Sequence, residues 1–135
     1  MKTWIVSLAA LVLLAGPASA APRACPAGLR AAVTAELYFG RDIGGVLGVS
    51  DVDWKDFLDH EVTPRFPDGL TVSDAEGQWR RADGAVAREP SKRLFLVLAG
   101  KPGERARLEA IRAAYKRRFR QESVLLVEQR ACVGF

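Results

Sequence analysis

Two cysteines, Cys25 and Cys132, sit near opposite ends of a 135-residue chain. Joined, they would force the start and the end of the folded chain together. The segment ahead of them decides how they read. Met1 and Lys2 give a short positive start, and Trp4 to Leu14 is a nearly unbroken apolar run. Gly16-Pro17 breaks the run, and Ala18-Ser19-Ala20 supplies the small residues of a cleavage site. That order is the order of a secretory signal peptide cut after Ala20. It predicts a periplasmic or secreted protein. In an oxidising compartment an even pair of cysteines reads as a disulfide, Cys25 to Cys132. A metal or redox pair is a poor alternative: the spacing is not CxxC, and His60 is the single histidine. No metal and no cofactor is expected.

The leader is too short to cross a bilayer, which takes about 20 apolar residues, and no later segment comes close. The chain therefore does not read as an integral membrane protein. The organisation is a signal peptide over 1–20, a lead-in over 21–30 that carries Cys25, and one domain over 31–135. Charged residues make up 27% of the chain and hydrophobic ones 49%, the balance of a globular domain with a core of its own.

Ala31 to Phe39 alternates, with Val33, Ala35, Leu37 and Phe39 on one face and Thr34, Glu36 and Tyr38 on the other, so it predicts a half-buried strand. The glycines of Gly40 to Gly48 predict a flexible loop. Ser50 is a good N-cap, and Ser50-x-x-Asp53 is close to a capping box. Trp54, Phe57, Leu58 and Val62 form one helical stripe that Pro64 ends. Leu70 to Arg81 reads as a strand with a bulge near Glu76-Gly77, and Asp83-Gly84 as a tight hairpin turn. The return strand runs from Ala85 to Leu98, with Pro90 marking a bulge or an unpaired position. Glu104 to Phe119 is a helix on the stripe Leu108, Ile111, Tyr115 and Phe119, and Ser123 to Glu128 is a last short strand.

The order β-α-β-β-α-β predicts an α+β, ferredoxin-like sandwich: a four-stranded antiparallel sheet with two helices on one face. In that topology the last strand lies antiparallel beside the first, so the residues flanking Cys25 and Cys132 meet. The fold and the disulfide, read from different residues, agree.

The chemistry is less explicit. The glycine loop lacks the lysine and hydroxyl of a phosphate-binding loop and the spacing of a dinucleotide fold. His60 lies off the apolar stripe, beside Glu61 but not facing it, and reads as solvated. Lys116 to Arg120 is a basic cluster at a helix end, and the chain carries a net +4. Without interleaved aromatics or a motif this is no nucleic-acid signature; an anionic envelope ligand is the more available partner. Glu36 and Tyr38 point away from the core, onto a sheet face that no helix covers, and Arg41 follows them. Glu36, Tyr38 and Arg41 are the candidate ligand-binding residues. No catalytic constellation is visible.

Several segments carry a resemblance: Glu36-Leu37-Tyr38-Phe39-Gly40-Arg41, Phe66-Pro67-Asp68-Gly69-Leu70-Thr71-Val72, Gly77-Gln78-Trp79, Arg88-Glu89-Pro90-Ser91-Lys92, and the run from Ile111 to Val124. Together they resemble the bacterial secreted family catalogued as domain of unknown function 3574, over roughly Cys25 to Phe135. The resemblance implies a small exported bacterial domain and brings no activity, cofactor or catalytic residue. Two functions follow as expectations. The first is a non-catalytic binding or interaction module outside the cytoplasm. The second is a small enzyme of the dimeric α+β-barrel kind, in which the open faces of two copies enclose a small apolar or anionic molecule.

Overall fold

The computed structural model describes residues 24–80 and 82–135. The leader and the cleavage position at Ala20 lie outside the described residues, as does the start of the lead-in. The elements are β1 (Arg30–Gly40), β2 (Asp42–Ile43), β3 (Val46–Leu47), α1 (Asp51–Phe57), β4 (Thr71–Arg80), β5 (Val86–Leu98), α2 (Glu104–Phe119) and β6 (Leu125–Val133). The four long strands form one antiparallel sheet in the order β4-β5-β1-β6. The chain is α+β, with the ferredoxin-like topology that its element order predicts.

Strand β1 is central and splits the molecule into two faces. Ala35, Leu37 and Phe39 are fully buried toward the helices, together with Leu94 and Leu96 of β5. The helices supply the other half of the core. Trp54 and Phe57 come from α1; Leu108, Ile111, Tyr115 and Phe119 come from α2. Phe39 packs at ring-centroid distances of 5.1 Å from Trp54, 6.0 Å from Phe57 and 4.8 Å from Tyr115. Such tilted and edge-on pairs add about 0.5–1.5 kcal/mol each beyond the area they bury. The buried Tyr115 hydroxyl donates to the Gly40 carbonyl at 2.8 Å, so the centre of the aromatic cluster is also hydrogen-bonded to the end of β1.

Helix α1 starts as its sequence predicts. The Ser50 side chain accepts from the Asp53 amide, and the Asp53 carboxylate accepts from the Ser50 amide. Leu58–Val62 then widens into a π turn, closed by Thr63 N–H to Leu58 C=O at 2.9 Å. Pro64 has no N–H with which to continue the helix. The Arg65 side chain reaches back to the Glu61 carbonyl instead.

Four local expectations are corrected. No bulge interrupts β4 or β5: the register runs unbroken from Thr71↔Phe95 to Arg80↔Val86, with Glu76 opposite Pro90. Pro90 fits because its missing N–H faces β1, not β4. The Arg41 amide donates to the Pro90 carbonyl, and the Arg41 carbonyl accepts from Gly48 and Val49 in place of the absent proline N–H. Those bonds fold Gly40 to Gly48 into the β2–β3 ribbon, where a loop was expected, with Gly44 and Gly45 at positive φ in its turn. The connection carrying Asp83-Gly84 is longer than a two-residue turn, since the ladder ends at Arg80↔Val86. Strand β6 runs on to Val133, because β1 offers it partners as far as Arg30.

The long β6 brings the cysteines together. Ala31 lies opposite Cys132, and Cys25 and Cys132 are disulfide-bonded with a Cα separation of 5.5 Å. Removing the bond by Cys132→Ser should cost about 2–5 kcal/mol, read as a lower urea midpoint. Ile111→Ala should cost about 2–5 kcal/mol in the same assay, because the cavity would open in the middle of the helix–sheet core. A change below about 0.5 kcal/mol, the range of surface substitutions, would contradict the position of Ile111.

Candidate functional site

Among the described residues the helices cover one face of the sheet and leave the other uncovered. Along β1 the uncovered face presents Thr34, Glu36 and Tyr38, because alternate residues of a strand point to opposite sides. Strand β5 adds Arg93, Phe95 and Val97, and β6 adds Leu125 and Val127, placed opposite Tyr38 and Glu36 by the register. All but Leu125 are half-buried; Leu125 is exposed.

Three of these side chains form one network. The Tyr38 hydroxyl donates to Glu36 Oε2 at 2.6 Å, and Arg93 Nε donates to the same oxygen at 2.8 Å. Arg93 lies directly across from Tyr38, so the strand register builds the triad. The Arg93 guanidinium also stands 5.7 Å from the centre of the Phe95 ring. Arg93, then Tyr38, hold the Glu36 carboxyl down at about 2. Glu36 in turn pushes the Tyr38 hydroxyl and the Arg93 guanidinium above their ordinary values. At neutral pH the network is therefore a fixed carboxylate, a fixed cation and a protonated phenol. It can position and hydrogen-bond a ligand; it holds no group poised to exchange a proton near pH 7.

Beyond Tyr38 the same face becomes small. Gly40 and Gly77 flank Glu89 and Ser91 of β5. A Cβ on Gly40 would lie 2.8 Å from the Glu89 carboxylate oxygens, so glycine is what lets that carboxylate lie over β1.

Of the three candidate residues, the structure brings together Glu36 and Tyr38 and places Arg41 elsewhere. Arg41 shares the parity of Leu37 and Phe39, so it points to the helix side, where it is 7% exposed. Its Nε donates to the Val49 carbonyl at 2.8 Å, and its guanidinium pairs with Asp51 at 3.2 Å. Lys92 extends the core face of β5 in the same way and pairs with Asp51 at 3.0 Å and with Asp74 across the ladder. These pairs lower the Asp51 carboxyl, chiefly through Lys92, and raise the Lys92 amine, chiefly through Asp74. Arg41 thus joins a cluster that ties the start of α1 to the sheet.

Arg93 is the site residue that sequence reasoning missed. Its signal was available: it shares the parity of Phe95 and Val97, two positions from Phe95, on a strand whose other face is Leu94, Leu96 and Leu98. Its partner depended on the register between β1 and β5, which no single segment reveals. His60 stands on the solvated side of its helix, 72% exposed, and pairs with Asp56 at 3.0 Å. The described residues hold no group of three or more His, Cys, Asp or Glu side chains suited to a metal ion, and no helix among them is long and apolar enough to cross a membrane.

The profile of a family described as "Protein of unknown function (DUF3574)" matches residues 34–135. No curated protein matches the chain. Two similar solved structures are both of a phage SAM lyase. The one in complex with S-methyl-5'-thioadenosine has a TM-score of 0.59 at 18% identity, covering 87% of this chain and 97% of the lyase. The apo state has a TM-score of 0.57 at 17% identity with the same coverage. At that identity the likeness is one of fold.

The low pKa of Glu36 fixes the sign of a pH effect. Folding favours the carboxylate, so the stabilisation is complete above the ordinary value of 4.5 and is lost as pH falls toward about 2. Asp51, Asp53, Asp56 and Asp68 are lowered as well and contribute to acid sensitivity. The difference between wild type and Glu36→Gln isolates the network. Wild type should lose more stability than the variant between pH 4.5 and about 2, measured by urea denaturation at stepped pH. Parallel curves would refute the network.

Proposed function

This chain belongs to the DUF3574 family, and we propose that it works outside the cytoplasm as a binding module whose ligand surface is the open face of the sheet. The single observation that carries the reading is the Glu36–Tyr38–Arg93 network on that face, set among Phe95, Val97, Leu125 and Val127. A few fixed polar groups within an apolar surround is the usual composition of a small-molecule site. All three groups titrate far from neutral pH, which suits holding a ligand better than moving a proton. Export is supported by the leader ending at Ala20 and by the Cys25–Cys132 bond, which persists in oxidising compartments.

The second reading is a small enzyme built from two copies with their open faces together. The similarity in fold to a phage SAM lyase, one structure of which holds S-methyl-5'-thioadenosine, favours keeping it. In that arrangement Glu36 and Tyr38 would be enclosed between the copies.

Native mass spectrometry of protein purified from the export fraction tests the first reading. The expected species is residues 21–135 with the disulfide closed and a small molecule retained, the latter lost in Arg93→Ala. Incubation with S-adenosylmethionine tests the second. Binding without turnover leaves the binding-module reading intact; release of S-methyl-5'-thioadenosine that Glu36→Gln abolishes would overturn it and establish an enzyme.

A further inference from the structure

We infer that the ligand of this surface is an amphipathic anion, an oxyanion head on an apolar body, seated in the cleft beside the start of β4. This rests on the open face being the ligand surface, and it names the ligand class. Strand β4 begins at Thr71, opposite Phe95, so among the described residues the end of β5 has no strand neighbour on that side. Residues 64–70 arch over the gap. The space left is a cleft of about 870 Å³, within the range of small-molecule sites. Phe95 and Val97 of the open face form part of its wall, and Phe66 and Leu70 line it further. These supply the apolar surface.

The charges in the wall are unequal. Arg30, Arg65, Lys101 and Arg107 line the cleft against Asp68 and Glu104. Both acids are already engaged. Asp68 pairs with Lys101, and the Glu104 carboxylate accepts from the Ala99 and Gly100 amides at 2.9 and 3.0 Å. Arg65 is taken by Glu61 at 2.8 Å. Among the described residues, Arg30 and Arg107 make no direct ion pair with a carboxylate; Arg107 lies near enough to Asp68 only to help lower its carboxyl, behind Lys101.

Arg107 carries a second, independent mark. One of its terminal nitrogens donates to the Pro102 carbonyl at 3.2 Å, but its Nε is buried with no acceptor. An unmet donor on a charged group is costly, so a turn of the Arg107 side chain toward a ligand oxygen in the cleft would relieve it. Both guanidiniums also stand over aromatic rings, each at 5.5 Å: Arg107 over the buried Phe66, which holds it, and Arg30 over the exposed Phe135. A planar fork held in place recognises a carboxylate or phosphate with less loss of freedom than a free side chain.

Isothermal titration of the disulfide-bonded protein with octanoate, and with 1-octanol as the uncharged control of equal chain length, tests this. Octanoate should bind saturably, and octanol at least about tenfold more weakly. Arg30→Gln and Arg107→Gln should each weaken octanoate by about tenfold. Arg30 is exposed, so Arg30→Gln reads binding even if Arg107→Gln does not fold. Arg107→Lys, which keeps the charge and removes the buried Nε, should lose part of the affinity. Equal binding of octanol, affinity unchanged in Arg30→Gln, or no octanoate binding would each overturn the ligand class. A small molecule retained on the native protein and lost in Arg93→Ala would then leave the binding reading standing.

Discussion

Everything in this molecule is referred to one strand. β1 is hydrogen-bonded along both edges, to β5 and to β6, and its side chains alternate between the helix layer and the open face. A one-residue slip would carry Leu37 and Phe39 to water and Glu36 and Tyr38 into the core. Such a slip would unmake the aromatic cluster on one side and the polar network on the other. The register is therefore fixed by packing on one face while it aligns chemistry on the other. The disulfide secures the same register from the far end, since Ala31 lies opposite Cys132.

Two groups of charges lie on the two sides of this strand, and their settings differ. Arg41 and Lys92 continue the core-facing rows of β1 and β5 and are nearly buried. A buried cation must be compensated, and here Asp51, Asp74 and the Val49 carbonyl do so. That cluster is closed on itself and ties α1 to the sheet. The open face and its end cleft keep capacity in reserve. Glu36 shares one oxygen between Tyr38 and Arg93, and Arg107 Nε has no acceptor. Closed networks fix a fold; open ones can receive a ligand.

The fold was legible in the sequence because its signals are local and strong. The alternation of Val33 to Phe39, the Ser50–Asp53 cap and the stripe Leu108, Ile111, Tyr115 and Phe119 each state their element within one segment. What was not legible depended on pairing between segments. Pro90 suggested a bulge or an unpaired position and Gly77 a bulge, yet both fit an unbroken ladder: Pro90 because its missing N–H faces the end of β1, and Gly77 because Glu89 and Ser91 lie beside it. Glu36 and Tyr38 were identified from parity alone. Arg41 was misplaced for the opposite reason: its nearness in sequence outweighed its parity, which is that of Leu37 and Phe39. Arg93 and the cleft cations require the register of β5 and the arch over residues 64–70.

The central claim is that function resides on the face the helices leave uncovered and in the cleft at its edge, to which α2 contributes Arg107. Heteronuclear NMR mapping of amide and methyl shifts, as octanoate is titrated into the labelled protein, tests it most directly. The expected result is a continuous set of shifts over Arg30, Phe95, Val97, Leu70 and Arg107, reaching Arg93 and Glu36. Shifts confined to the opposite layer, around Asp56, His60 and Arg118, would contradict the account.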